Sequence, residues 1–301
     1  MRKVVIGTRG SALALKQTDL AAEALKTLDP ALEVEVRVIQ THGDINQQPI
    51  PLDTIGKGWF TKEIEGALLK GEIDLAVHSL KDMAEEMPQG LIIGAYLSRE
   101  DARDALVTKH GEPLELLKPG AIVGTDSARR QVQMLGLRPD LTMESLRGNV
   151  PTRLEKLDTG EYDAIILAAA GLKRLGLESR ITRYFEPTEM TPAPGQGTLA
   201  VQVAEKNEYL RALLTRINDP NTSRAAHIER SFSRVMGGGC KSPTGAYAFR
   251  TGAECCFIGM IADGAEIVRK EARAPWEKST GLGEELAAQL LSQRKNHGPQ
   301  V

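Results

Sequence analysis

Apolar positions in the first two-thirds of the chain form short runs separated by stretches of helical spacing. Residues 4–6 read as a strand, and 11–28 as an amphipathic helix with Ser11 as its N-cap. Residues 33–41 alternate as a strand does, 61–70 return to helical spacing, and 74–78 form a short buried-strand run. Residues 121–124 are a further strand, leading into a helix that carries Arg129 and Arg130. Asn149 and Pro151 suit an N-cap and the first turn of a helix running to Leu157. Residues 164–168 are a strand that feeds a helix containing Lys173 and Arg174. Strand and helix in alternation predict an α/β fold with mainly parallel sheets.

The stretch Thr191-Pro192-Ala193-Pro194-Gly195-Gln196-Gly197 has the composition of a hinge. After it, 198–203 returns to strand and 209–217 to helix. From about Asn221 the pattern changes to a polar helix, a glycine loop, three strands (244–249, 254–261 and 266–273) and a final helix over 283–293. Such a succession predicts a small α+β unit with antiparallel strands. A chain of 301 residues is long enough for two or three domains.

A net charge of −2 argues against wholesale nucleic-acid binding. The start of the chain runs straight into a strand without the apolar core of a signal peptide, and no apolar run approaches the ~20 residues needed to span a bilayer. Three cysteines, with Cys255 and Cys256 adjacent, make no disulfide framework and suit a reducing compartment. The expectation is a cytoplasmic protein with no membrane partner.

Candidate chemistry collects at the ends of strands. Arg9, Lys81, Arg129, Arg130, Arg147, Arg153 and Arg174 all lie where a strand hands over to a helix or beside the turn at Gly148. Ligands of open α/β sheets bind beyond the carboxyl ends of strands, and guanidinium pairs bidentately with carboxylate or phosphate. No glycine-rich nucleotide loop follows a strand, so carboxylates are the expected partners. Asp82 stands as an acid among these bases, placed either to handle a proton or transient cation, or as a structural ion pair or helix cap. Gly237-Gly238-Gly239-Cys240 presents a thiol on a backbone free to be approached closely, as a nucleophile or an attachment point. His78 reads as a core residue and His42 as a loop residue, and no spacing suggests a metal site. An anion-binding protein closing about the hinge, or a hydrolase pairing Cys240 with His42 or His227, would share parts of this pattern.

Several ordered motifs together resemble the porphobilinogen deaminase (hydroxymethylbilane synthase) family over nearly the whole chain. They are Gly7-Thr8-Arg9-Gly10-Ser11-Ala12-Leu13-Ala14, Gly56-Lys57-Gly58-Trp59-Phe60-Thr61-Lys62-Glu63 and Ala76-Val77-His78-Ser79-Leu80-Lys81-Asp82. Ser127-Ala128-Arg129-Arg130-Gln131 and Arg147-Gly148-Asn149-Val150-Pro151-Thr152-Arg153-Leu154 follow, then Ala193-Pro194-Gly195-Gln196-Gly197. Gly238-Gly239-Cys240 with Gly245-Ala246-Tyr247 completes the set.

The resemblance implies two periplasmic-binding-protein-like α/β domains joined by hinge segments, plus a small α+β C-terminal domain. Their expected extents are 1–98 with 198–217, 99–197, and 218–301. It implies a transferase of tetrapyrrole, porphyrin and haem biosynthesis that joins four porphobilinogen molecules into hydroxymethylbilane with release of ammonia. The primer is one dipyrromethane cofactor, in thioether linkage to Cys240. By the same resemblance Lys81, Asp82, Ser127, Arg129 and Arg130 hold the cofactor, and Arg9, Ser11, Arg147, Arg153 and Arg174 bind substrate carboxylates. Asp82 is the expected catalytic residue, stabilising a cationic pyrrole, and no metal is implied. A monomer acting on porphobilinogen and the growing chain, without nucleic acid, is expected. The chain departs from the family pattern at Trp59, at Ala84-Glu85, and at Asp126, which stands where a serine or threonine is usual.

Overall fold

The structure, a computed structural model, describes residues 3–41, 61–237 and 243–295. The first sheet begins with β1 (Lys3–Thr8), α1 (Ala12–Leu28), β2 (Glu33–Val38), α2 (Lys62–Lys70), β3 (Leu75–Ser79) and β4 (Leu91–Tyr96). Ser11 caps α1 by accepting the Ala14 N–H, and α2 ends at Gly71, whose φ of 73° needs no Cβ. Strands β1 and β3 read as apolar runs because α1 covers one side: Ala21 and Leu25 pack on Val4, Ile6, Leu75 and Val77, all in one core.

The chain then crosses to a second sheet, made of β5 (Asp104–Thr108), β6 (Ile122–Gly124), β7 (Thr142–Glu144), β8 (Ala164–Ala168) and β9 (Arg183–Tyr184). Helices α3 (Ala128–Leu137), α4 (Val150–Thr159) and α5 (Ala169–Arg174) connect them. It returns to the first sheet as β10 (Leu199–Ala204). The strand orders are β2-β1-β3-β10-β4 and β7-β6-β8-β5-β9. In each sheet the fourth strand is the antiparallel one, and it is the strand that has just arrived from the other sheet. Two crossovers, residues 97–103 and 185–198, therefore run side by side between the sheets.

Helix α6 (Glu208–Ile217) packs Leu210, Leu213 and Leu214 into the core of the first sheet. The remainder is α7 (Pro220–Val235), the antiparallel ribbon β11 (Thr244–Thr251), β12 (Glu254–Asp263) and β13 (Glu266–Pro275), and α8 (Leu282–Lys295). Phe232 of α7 meets Phe257 of β12 edge to face at 5.4 Å, and Gly259 leaves the room, since a Cβ there would lie 2.7 Å from Phe232 Cε2. Cys255 and Cys256 are both buried and unbridged on successive positions of β12, where side chains point to opposite faces. Burial pushes the Cys255 thiol up, away from reactivity.

Two α/β sheets and a small α+β unit match the expected fold class, but each α/β sheet pairs as many strands antiparallel as parallel, where the sequence pattern predicts mainly parallel sheets. The helices appear within a residue or two of their predicted ends. The predicted strand over 33–41 stops at Val38, and β4, β5, β7 and β9 were not anticipated.

Candidate active site

Strand β3 delivers Ser79 into a tight 3-10 turn, Leu80–Asp82, which exposes Lys81 and Asp82 while burying Leu80. The second crossover holds this turn. Leu80 N–H donates to Thr198 O at 3.0 Å, and a Cβ on Gly195 (φ 73°) would lie 2.7 Å from Leu80 Cγ. Only glycine lets the crossover approach so closely. Solvent reaches Lys81, yet protein surrounds it, and that desolvation pulls its ammonium down to about 8, opposed by Asp82 and reinforced by Arg130. Lys81 Nζ donates to Gln196 Oε1 at 3.4 Å.

Across from this turn lies the double arginine, and a residue absent from the sequence-based candidates organises it. Asp104, wholly buried at the start of β5, accepts from Arg129 Nη1 at 2.6 Å and from Arg130 Nε at 2.8 Å. Gln196 Nε2 adds a bond to the same carboxylate at 2.9 Å. Burial alone would raise the Asp104 pKa, but Arg129 and Arg130 outweigh it and hold the carboxyl well below the usual range. Arg130 also donates to Ile166 O at 3.0 Å, and Arg129 to Thr191 O at 2.6 Å. One carboxylate between two buried guanidinium groups leaves an uncompensated positive charge, and Asp82 acts on Arg130 in the opposing sense. Ser127 caps α3, accepting the Arg130 N–H at 3.4 Å, so the cap itself fixes where the pair starts.

A second arginine group stands at the entrance of α4. Asn149 caps this helix by accepting the Thr152 N–H, and Pro151 sits in its first turn. Arg153 Nε donates back to Gly148 O at 2.7 Å. Burial lowers the Arg153 pKa; Arg130 and Arg147 lower it further, while Asp126 and Asp82 oppose them. Arg153 therefore lies within the field of both groups. Arg147 Nε pairs with Asp126 Oδ2 at 3.0 Å, and Ser145 donates its hydroxyl to Asp126 Oδ1.

The remaining sequence candidates are placed as follows. Ser11 caps α1, and Arg9, just beyond β1, acts electrostatically on the buried His78 of the neighbouring β3. Arg174 donates to Gly197 O at 2.6 Å, and burial lowers its pKa to about 10 against the pull of Glu100, which places it on the crossovers. The departure at Ala84-Glu85 is anchored by Arg230 of α7, whose Nη2 donates to both carbonyls at 2.8 and 2.9 Å. Cys240, His42 and Trp59 lie outside the described residues. His227 is exposed, bonded to Ser223 O of its own helix.

Lys81, Arg129, Arg130, Arg147 and Arg153 set five cations against the carboxylates of Asp82, Asp104 and Asp126. Such a surplus suits a ligand with several carboxylate arms. Residues 4–212 match the family profile described as porphobilinogen deaminase, dipyromethane cofactor binding domain, and 224–292 match the profile of its C-terminal domain. The chain belongs to the porphobilinogen deaminase family.

Among relatives, the porphobilinogen deaminase of Thermus thermophilus is 45% identical over 296 residues, covering 97% of each chain. Those of Pelobacter propionicus and Syntrophobacter fumaroxidans are 46% and 44% identical, each covering 94% of the relative and 97% and 96% of this chain. Similar solved structures include an ancestral arginine-binding protein (TM-score 0.37, 16% identity, covering 72% of this chain and 91% of that one). An arginine-specific periplasmic binding protein of Salmonella typhimurium has TM-score 0.40 and 15% identity, covering 74% and 97%. As a family member the chain is a transferase of tetrapyrrole synthesis, acts on porphobilinogen and uses a dipyrromethane cofactor. The anion-binding and hydrolase readings give way to this one. No helix among the described residues is long and apolar enough to cross a membrane.

Proposed function

We propose that Asp82 carries the chemistry of hydroxymethylbilane synthesis here, with Cys240 as the thioether anchor of the dipyrromethane. When bound, the dipyrromethane supplies the free pyrrole carbon from which the chain is extended. Lys81, Arg129, Arg130 and Ser127 hold its acetate and propionate arms, while Arg147, Arg153, Arg9, Ser11 and Arg174 take those of the incoming substrate. The single observation that carries this reading is the placement of Asp82: its tight turn exposes it beside Lys81, whose Nζ reaches Gln196, and Gln196 bonds the Asp104 carboxylate that holds Arg129 and Arg130.

Loss of ammonia from the aminomethyl group of porphobilinogen leaves positive charge on the pyrrole. A carboxylate beside the ring stabilises that developing charge. Asp82 on its tight turn is preorganised for the task, since the turn is pinned by Thr198 and packed under Gly195. Asp104 keeps two guanidinium groups fixed and charged while leaving part of their positive charge for the ligand.

The same reading divides the chain into 1–98 with 198–217, 99–197, and 218–301. It makes the protein a cytoplasmic monomer without nucleic-acid or membrane partners. The intact mass of the purified chain tests it. We expect the added mass of one dipyrromethane, absent from Cys240→Ser. Full activity in Cys240→Ser with no tethered group would sink the assignment.

A further inference from the structure

Asp126 is a carboxylate in a place where the chemistry calls for cations, and the structure gives it a specific partner. It lies two residues beyond the end of β6 and one residue before the cap of α3, and its Oδ2 lies 3.0 Å from Arg147 Nε. Ser145 donates to its other oxygen, so both oxygens are engaged and the side chain is held in one orientation. The pair is neither core nor free surface: the Asp126 and Arg147 side chains are 33% and 36% exposed. Asp126 also acts on Arg153, which feels Asp82, so it belongs electrostatically to the same site.

A carboxylate on Arg147 Nε is the same kind of partner as an acetate or propionate arm of the substrate. The guanidinium edge that binds Asp126 is an edge a planar carboxylate would use. We propose that Asp126 is a positioning residue that sets the grip of Arg147 on substrate-derived carboxylates, holding the guanidinium ready and competing with each arriving arm. The inference rests on the reading that Arg147 binds substrate carboxylate.

The competition has a chemical use. Each pyrrole added brings two further carboxylates, and an arm bound to one arginine has to leave it as the chain lengthens. Exchange of one carboxylate for another keeps the guanidinium paired throughout, so neither arrival nor departure strands an unpaired charge. A partly exposed pair is a weak competitor, which limits the effect to about two- to fivefold in affinity.

The test compares Asp126→Ser, Asp126→Asn, Arg147→Leu and Asp126→Ser/Arg147→Leu by KM and kcat for porphobilinogen and by native mass spectra of enzyme-bound intermediates. Asp126→Ser is expected to lower KM about two- to fivefold, to change kcat less, and to shift the bound population towards longer chains. Asp126→Asn, which keeps the size and an acceptor for Ser145, is expected to do the same because the charge is what competes. In the Arg147→Leu background, removal of Asp126 is expected to leave KM where it is. An unchanged or raised KM in both Asp126 variants, beside a raised KM in Arg147→Leu, overturns the competition and leaves the carboxylate-binding role of Arg147 standing. Unaltered KM and intermediates in Arg147→Leu overturn that role and the inference together.

Discussion

Arg99 and Glu229 form a two-point ion pair, with Nη1 2.6 Å from Oε1 and Nη2 3.2 Å from Oε2. Glu229 is wholly buried on α7, and Arg99 belongs to the first crossover. The backbone N–H groups of Gly195 and Ala248 donate to the same carboxylate at 2.6 and 2.8 Å, and Arg99 Nε donates to Gln196 O at 2.9 Å. One pair thus fastens both crossovers to α7 and to β11 of the third unit. Removing a single partner strands a buried charge, so Glu229→Ala is expected to cost about 3–5 kcal/mol. The double change Arg99→Met/Glu229→Leu should cost clearly less than the two single changes together. Denaturant unfolding of Arg99→Met, Glu229→Leu and the double variant checks this; additive losses would show that the pair does not act as a unit.

The crossovers also set limits on single glycines. Gly197 has φ 87°, and a Cβ there would collide with the backbone oxygen of Glu100, which has little freedom to move aside. Gly197→Ala combines left-handed strain with that collision and is expected to destabilise by about 2–4 kcal/mol. Gly66, inside α2 with nothing within 4 Å of a would-be Cβ, is the contrasting case. Gly66→Ala is expected to stabilise by about 0.5–1 kcal/mol. Melting temperatures that moved in the same direction for both would contradict the geometry.

How legible these features were depends on the range of the interactions. The corner arginines could be grouped from sequence because strand-to-helix junctions are marked locally by apolar runs, caps such as Ser127 and Asn149, and Pro151. Asp104 could not, since its partners Arg129 and Arg130 lie 25 and 26 residues away. It also sits in the charged run Arg99-Glu100-Asp101-Ala102-Arg103-Asp104, which has the look of solvated surface. In that run Asp101 and Arg103 pair with each other while Asp104 turns inward. The same run hid the start of β5. Strands β5 and β10 are antiparallel because each enters its sheet directly from the other one, a topological fact with no local signature. Asp126 stands out in the sequence as a departure from the family pattern, but its bond to Arg147, 21 residues on, is set by the fold.

Asp82 is expected to matter for rate far more than for stability, because its turn is held by backbone and by Leu80 rather than by its own carboxylate. Asp82→Asn is expected to keep the covalent adduct in the intact mass spectrum and to lower kcat by about 10²–10³. The same change removes the charge that supports the Lys81 ammonium, so Lys81 should titrate below its present value of about 8. A near-normal kcat would remove Asp82 from the chemistry, and an unmoved Lys81 would separate the two residues electrically.

Acid stability should report on His78. Burial, with Arg9 adding to it and the bond to Gln202 opposing, lowers its pKa from 6.5 to about 4. The unfolded chain therefore binds a proton between pH 6.5 and about 4 that the folded chain refuses, and stability rises with pH across that window. The contribution is fully present above pH 6.5, is lost progressively as pH falls towards 4, and reaches about 3 kcal/mol at most. Asp104, whose carboxyl is depressed by Arg129 and Arg130, adds its own loss only at lower pH, below the ordinary carboxylate range. Unfolding free energies measured from pH 7 to pH 4 should slope in the wild type and flatten in His78→Gln, which keeps a hydrogen-bonding side chain facing Gln202. An identical slope in the variant would show that other groups take up the proton.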